Sequence, residues 1–389
     1  MRQLLPLWSL IVATGCGSTE EQPMTMPAID WGTTTETEET DQTETDQSET
    51  DPSGTDPSDG GCVGNFIVLT ESDLAEVEGC KIIVGSLDIG YGNAAPHLDA
   101  NDQRNFTSLT NLDALSDLTE VTGDLFIGQN GELTSVSLDK LTRVGGILVS
   151  AYNTKLESFS FDSLVSIEGF TGMAVSLVVY ENPVLTSISF EKLSNCAGRF
   201  GIANNQSLQT IALDNISSLG DYGWLEIYGN ESLQDVSFNG VTNMQVLMIE
   251  ANPALESVSF SGLTNLGYTG EEYGGFAMIA NNNALTVIDM SNLTHLGQAM
   301  FDENAALMSV SFDKLTTAQM IGFRKTQALK SLEFDSLTTA GRFVIYDNHE
   351  LTSISLDALT EIYDTIAIAG NPALTTVSLE SLTHIGGDI

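Results

Sequence analysis

The chain has 389 residues, with 53 Asp and Glu against 13 Lys and Arg, a net charge of −40 and four cysteines. So strong an acidic excess argues against nucleic acid and anionic lipid surfaces as partners, because both repel a negative surface. It suits solubility, a cationic partner or divalent ions.

The first residues, Arg2 followed by the apolar run Leu4 to Ala13, have the form of an export signal, and the run is too short to span a bilayer. Ala13-Thr14-Gly15-Cys16 follows directly. It resembles a bacterial lipobox, which implies that residues 1–15 are removed and that Cys16 carries lipid. The alternative is an ordinary secretory signal cut near Gly15. Either reading exports the chain. The lipid-anchored form is expected at the cell surface or outer membrane, and the other as a secreted protein.

Residues 16–61 form the next segment. From Gly17 onward it holds thirteen Asp or Glu and no Lys or Arg, with Thr, Ser, Gln and Pro filling most of the rest. Such a stretch cannot bury enough apolar surface to offset its ordering entropy, so an extended acidic tether is expected.

From Asn130 onward a unit recurs: Asn-x-x-Leu-x-x-[Val/Ile]-x-[Leu/Phe]-x-x-Leu-x-x-[Val/Ile/Leu]. It begins at Asn130, Asn153, Asn182, Asn205, Asn230, Asn252, Asn282, Asn304, Asn348 and Asn371, and at Thr326, where the Asn is lost. A fixed period of this size means a solenoid. The unit at Asn182 shows the inward set: Leu177 and Val179, then Leu185, Ile188 and Phe190, then Leu193 and Cys196. Short alternating runs rich in β-branched residues read as strands, three per unit. The expected fold is therefore all-β, a solenoid of about twelve coils of 22–23 residues over residues 62–389. The Asn at the head of each unit is expected to take left-handed geometry in a tight turn and to bond from coil to coil.

Two features belong to the start of this region. Thr70 and Asp73 form a capping-box pattern ahead of Leu74 and Val77, which predicts a short helix lying over the first coil. Cys62 and Cys80 bracket it, and in an exported protein they are expected to pair. Cys196 occupies an inward position and reads as a small buried hydrophobe.

The opening Gly61-Cys62-Val63-Gly64-Asn65-Phe66-Ile67-Val68, the helix, and Gly79-Cys80-Lys81-Ile82-Ile83-Val84-Gly85-Ser86-Leu87-Asp88-Ile89 resemble the start of a receptor L domain. Leu118 to Ile127 followed by Asn130 and Leu133 has the same cadence. The chain is also similar to fungal sporulation-specific cell-wall proteins. What the resemblance implies is a right-handed leucine-rich β-solenoid with a surface role. A hormone-receptor role does not carry over.

A solenoid offers long faces and few convergent pockets, so binding or adhesion is favoured over catalysis. The outward positions of the first strand, four residues before each Asn, read as an apolar face that includes Met248, Met278 and Met300. Tyr180, Tyr228 and Tyr346 stand two before it. Contiguous apolar surface marks interaction sites. Insertions near Glu168 to Ala174 and Gly267 to Gly275 should leave one corner, and the second offers Tyr268 and Tyr273. The expected ligand is an unidentified protein or glycan, with no cofactor and no metal site. A structural envelope protein without a specific ligand is the nearest rival.

A β-helix carbohydrate-active enzyme is disfavoured. His295 and His384 share a repeat position but lie coils apart, and Arg324, Lys325, Lys330 and Arg342 belong to no acid dyad that the spacing reveals. A last column, nine residues after the Asn, is acidic: Asp139, Asp162, Glu191, Asp214, Asp313, Asp335, Asp357 and Glu380. Three explanations stand beside one another: turn N–H acceptors, partial neutralisation by Lys140, Lys192 and Lys314, or shared Ca²⁺.

Overall fold

The computed structural model describes residues 60–90, 106–169, 175–220, 223–267 and 275–387. The Cys16 region and the tether up to residue 59 lie outside them, as do Tyr268 and Tyr273, while Gly61, expected in the tether, opens the strand Gly61–Val63.

Val, Ile, Leu and Phe alternate with small polar residues in this chain, and strands of two to eight residues result. Each strand pairs in parallel with its counterpart one coil away. One ladder follows a single outward position through every coil: Ile67, Asp88, Phe126, Val149, Val178, Gly201, Glu226, Met248, Met278, Met300, Gly322, Val344 and Ala367. This is a β-solenoid of about thirteen turns. The expected count of about twelve missed one turn, because Phe66–Val68 precedes the helix yet pairs with Leu87–Ile89 as a coil of its own.

The second strand stacks separately, as in Ser158–Ser160 between Ser135–Ser137 and Ser187–Ser189. The third strand is two residues long in early coils, as at Ser166–Ile167. In three later coils it runs into the following first strand, giving the continuous strands His295–Asp302, Thr317–Arg324 and Thr339–Tyr346.

The inward set forms the core. Leu177, Val179, Leu185, Leu193 and Cys196 are all buried. Phenylalanines at the end of the second strand stack from coil to coil, with centroids 6.0 Å apart for Phe238 and Phe260 and 5.8 Å for Phe312 and Phe334. Residues Leu374, Leu379, Leu382 and Ile385 of the last described coil are only partly buried, and Val377 is exposed.

The Asn column is buried from Asn130 to Asn348, and Asn371 in the last described coil is partly buried. Asn252 accepts from the main-chain N–H and the Nδ2 of Asn230, and donates to Ile227 O, Glu250 O and Asn282 Oδ1. Its geometry corrects one expectation. The left-handed residue is the one before the Asn: Gln129, Tyr152, Glu181, Asn204, Ala251, Asn281, Glu303, Lys325 and Asp347 all have φ between 47° and 60°. Gly229 and Gly370 hold the same place. A left-handed step there turns the next side chain into the core. The amide of the Asn then gives strand carbonyls a further donor beside their main-chain partners, as at Glu250 O, which also accepts from Gly229 N–H. Thr326 substitutes with a hydroxyl that donates to Asn348 Oδ1.

At the N-terminal side, the helix Glu71–Glu76 has the capping box, with Thr70 Oγ1 accepting from Asp73 N–H and the Asp73 carboxylate accepting from Thr70 N–H. Leu74 and Val77 are buried. Cys62 and Cys80 are disulfide-bonded, with Cα atoms 5.8 Å apart.

Candidate binding face

The outward side of the first-strand ladder carries three parallel columns, two residues apart along each strand. Side chains alternate in direction along a strand, so these three positions share one face. Met248, Met278 and Met300 stand in register on consecutive coils of the middle column, each half-buried. The Met300 side chain folds toward Gly322, the next residue of that column, where no side chain competes for the space.

The face is less uniformly apolar than the sequence suggests. Val149 and Val178 are buried rather than exposed. They are neighbours in the middle column, with Phe126 beyond Val149, and bulky groups at the ~4.8 Å coil spacing cover one another. Further along, Glu226 is buried and ion-paired with Arg199. The Arg199 guanidinium also lies 4.9 Å from the centre of the Trp224 ring. Arg199, Trp224 and Phe276 belong to the column six before the Asn, which sequence reasoning did not tabulate. Setting it beside the middle column would have placed Arg199 diagonal to Glu226.

In the column two before the Asn, Tyr180 and Tyr228 flank Ala203, so they lie two coils apart. Gly201, on the same strand as Ala203, opens onto free space, with nothing within 4 Å of where a Cβ would sit. Tyr180 packs edge-on against Tyr152, with centroids 5.5 Å apart. Burial pushes the Tyr180 phenol upward, and its bond to Glu181 adds to this. Tyr346 does not join the pair. Between it and Tyr228 the column runs through Glu250, Ala280, Asp302 and Arg324, which puts it roughly 24 Å from Tyr228.

Those intervening residues give the face its charge. Asp302 is buried and held by a two-pronged contact from Arg324. Glu250 is half-buried and accepts from Asn281 Nδ2 at 3.3 Å. Its carboxyl is pushed up chiefly by burial and further by Asp302 and Glu226, against the lowering effect of the Asn281 bond.

The two insertions do leave one corner of the solenoid. Each follows a third strand, Ser166–Ile167 or Asn265–Leu266, and precedes a first strand beginning at Val175 or Phe276. Gly169 and Gly267 open them with φ of 71° and 69°.

Parts of the other faces are hydrogen-bonded within the protein. Serines of the second strand bond to nearby acids, as Ser137 to Asp139, Ser257 to Asp235 and Ser378 to Asp357. Asp214 accepts from Asn239 N–H. The acidic column thus acts, at Asp139, Asp162, Asp214 and Asp357, as an acceptor of turn and hydroxyl hydrogens. Lys140 pairs with Asp117 and Lys314 bonds Asn292, so neither turns to the adjacent column residue. Among the described residues no group of three or more His, Cys, Asp or Glu is placed to hold a metal ion. Cys196 is buried beside Ser176 Oγ at 2.9 Å, and burial pushes its thiol up to about 12. Arg324, Lys325 and Arg342 each pair with a separate carboxylate: Asp302, Glu303 and Asp364.

A family model for the Receptor L domain matches residues 119–215, and one for the LVIVD repeat matches residues 273–300. The first match covers less than half of the chain and stops before the methionine ladder. No curated protein and no solved structure matches the chain.

Proposed function

We propose that the protein is a cell-surface lipoprotein, anchored through Cys16, that acts as a binding or adhesion module through the first-strand face of its solenoid. The observation that carries this reading is the ladder Met248, Met278 and Met300 beside Tyr228. Three flexible thioethers in register on an outward sheet make a surface that adapts to a partner. The Receptor L domain match supports a binding or structural module. The acidic segment before Cys62 would hold the solenoid away from the membrane. In this reading the coils wind to the right and the helix Glu71–Glu76 lies as a lid over the first coil.

A glycan array and a pull-down from envelope extracts test the proposal, with the Met248→Ser, Met278→Ser, Met300→Ser variant alongside. Saturable binding that the variant weakens supports it. Binding of equal strength in both proteins contradicts the face assignment. No saturable binder in either assay favours the structural envelope role. Palmitate-analogue labelling that is lost in Cys16→Ala tests the anchor.

A further inference from the structure

We infer that this face receives a cationic, apolar segment of a partner protein, with an arginine or lysine side chain against Glu250 and its apolar neighbours on Met248, Met278 and Met300. The inference deepens the binding-module reading and rests on it.

The argument begins with charge. Three acids stand close together on the face. Glu226 has Arg199 and Asp302 has Arg324. Glu250 lies between them, and among the described residues no cation pairs with it; its bond is to the neutral amide of Asn281. A half-buried carboxylate without a cation is costly where water is partly excluded. Burial and the two neighbouring acids raise its proton affinity, as expected for a carboxylate short of positive charge. From Phe200 to Asp313 the sequence has no Lys or Arg to supply that charge. The complement is missing from this part of the chain, and a partner can bring it.

The surroundings favour a guanidinium or ammonium on an apolar stem. Tyr228 precedes Glu250 in the same column, one strand away. An aromatic face beside a carboxylate is a good seat for such a head group. The protein builds this arrangement within itself where Arg199 lies over Trp224 and pairs with Glu226. Met248 lies two residues before Glu250 on the same strand and Met278 lies diagonal to it on the next, and they would take the aliphatic part of the segment. The acidic N-terminal segment of this chain has the wrong sign to be the occupant.

The test uses the full chain and fluorescently tagged short peptides at about 150 mM salt, where distant charges are screened. One peptide alternates Leu and Arg, a second Leu and Glu, a third Ser and Arg. The Leu–Arg peptide should bind best. Glu250→Gln should weaken it roughly tenfold, as should Met248→Ser with Met278→Ser. Asp335→Asn, which removes an exposed acid from the turn column, should change it less than about twofold. Equal losses from Glu250→Gln and Asp335→Asn would mean that only bulk charge attracts the peptide, and would overturn the inference. So would binding of the Leu–Glu peptide at equal strength, or no binding of the Leu–Arg peptide. A glycan that binds the methionine ladder while the Leu–Arg peptide does not would overturn this inference and leave the binding-module reading standing.

Discussion

Asn230 donates through its side-chain nitrogen to the side-chain oxygen of Asn252 at 3.2 Å, and its main-chain N–H reaches the same oxygen at 3.0 Å. The next coil repeats the pair with Asn282. The ladder runs inside the solenoid, so each amide serves donors and acceptors that water cannot reach. Asn252→Ala should therefore leave the Asn230 N–H without its partner and take one donor away from the Ile227 and Glu250 carbonyls. We expect a loss of about 2–4 kcal/mol in denaturant unfolding. A loss within ~0.5 kcal/mol would show that the column is not structural.

Thr326 offers the converse experiment. Its one hydroxyl donates to Asn348, and it has no side-chain nitrogen to donate to a carbonyl of the preceding coil. Thr326→Asn should restore the ladder and raise stability by about 1 kcal/mol. An unchanged or lower midpoint would mean that this site has repacked around the smaller side chain.

Glu250 should make stability depend on pH. Its folded-state pKa is raised above the usual carboxylate range, chiefly by burial. The ionised form is thus the one the fold disfavours. The penalty is present in full above the folded pKa. It fades as pH falls through that value and is gone below the unfolded one. Glu250→Gln should therefore raise the melting temperature at neutral pH and lose this advantage near pH ~4. A variant that melts lower than the parent at neutral pH would contradict the description of Glu250 as uncompensated.

The disulfide and the free thiol give opposite chemical expectations. Replacing Cys62 and Cys80 with Ala opens a link across 18 residues. It should cost about 3 kcal/mol, read as an earlier unfolding transition. Cys196, with its thiol pushed up to about 12, should resist a thiol reagent at pH ~8 until the coils open. Rapid labelling of the native protein would place Cys196 at the surface.

Much of the fold was legible because the solenoid repeats each decision. The inward leucines, the three strands and the cysteine pair all follow from local pattern. The left-handed residue was not legible, since Gln129, Tyr152, Glu181 and Ala251 share no chemistry. What they share is the position before a buried Asn. A threonine column was also missed. Thr264, Thr294, Thr316, Thr338, Thr360 and Thr383 each donate a hydroxyl to a carbonyl one coil earlier. Its recurrence was visible, but hydroxyls repeat elsewhere in the unit and only the structure separates bonded from solvated ones. On the candidate face, Met248, Met278 and Met300 fell where the period put them. The Arg199–Glu226 pair did not, because its members are 27 residues apart in different columns.

The most direct test of the binding face is hydroxyl-radical footprinting, read by mass spectrometry at individual methionines. Met248, Met278 and Met300 report on the face, and Met308, 59% exposed and outside the ladder, serves as the internal control. With a saturating binder identified by array, pull-down or peptide titration, oxidation of the three ladder methionines should fall several-fold while Met308 oxidises as before. If Met308 is protected instead, or the three oxidise at the same rate with and without the binder, the first-strand face is not the binding surface.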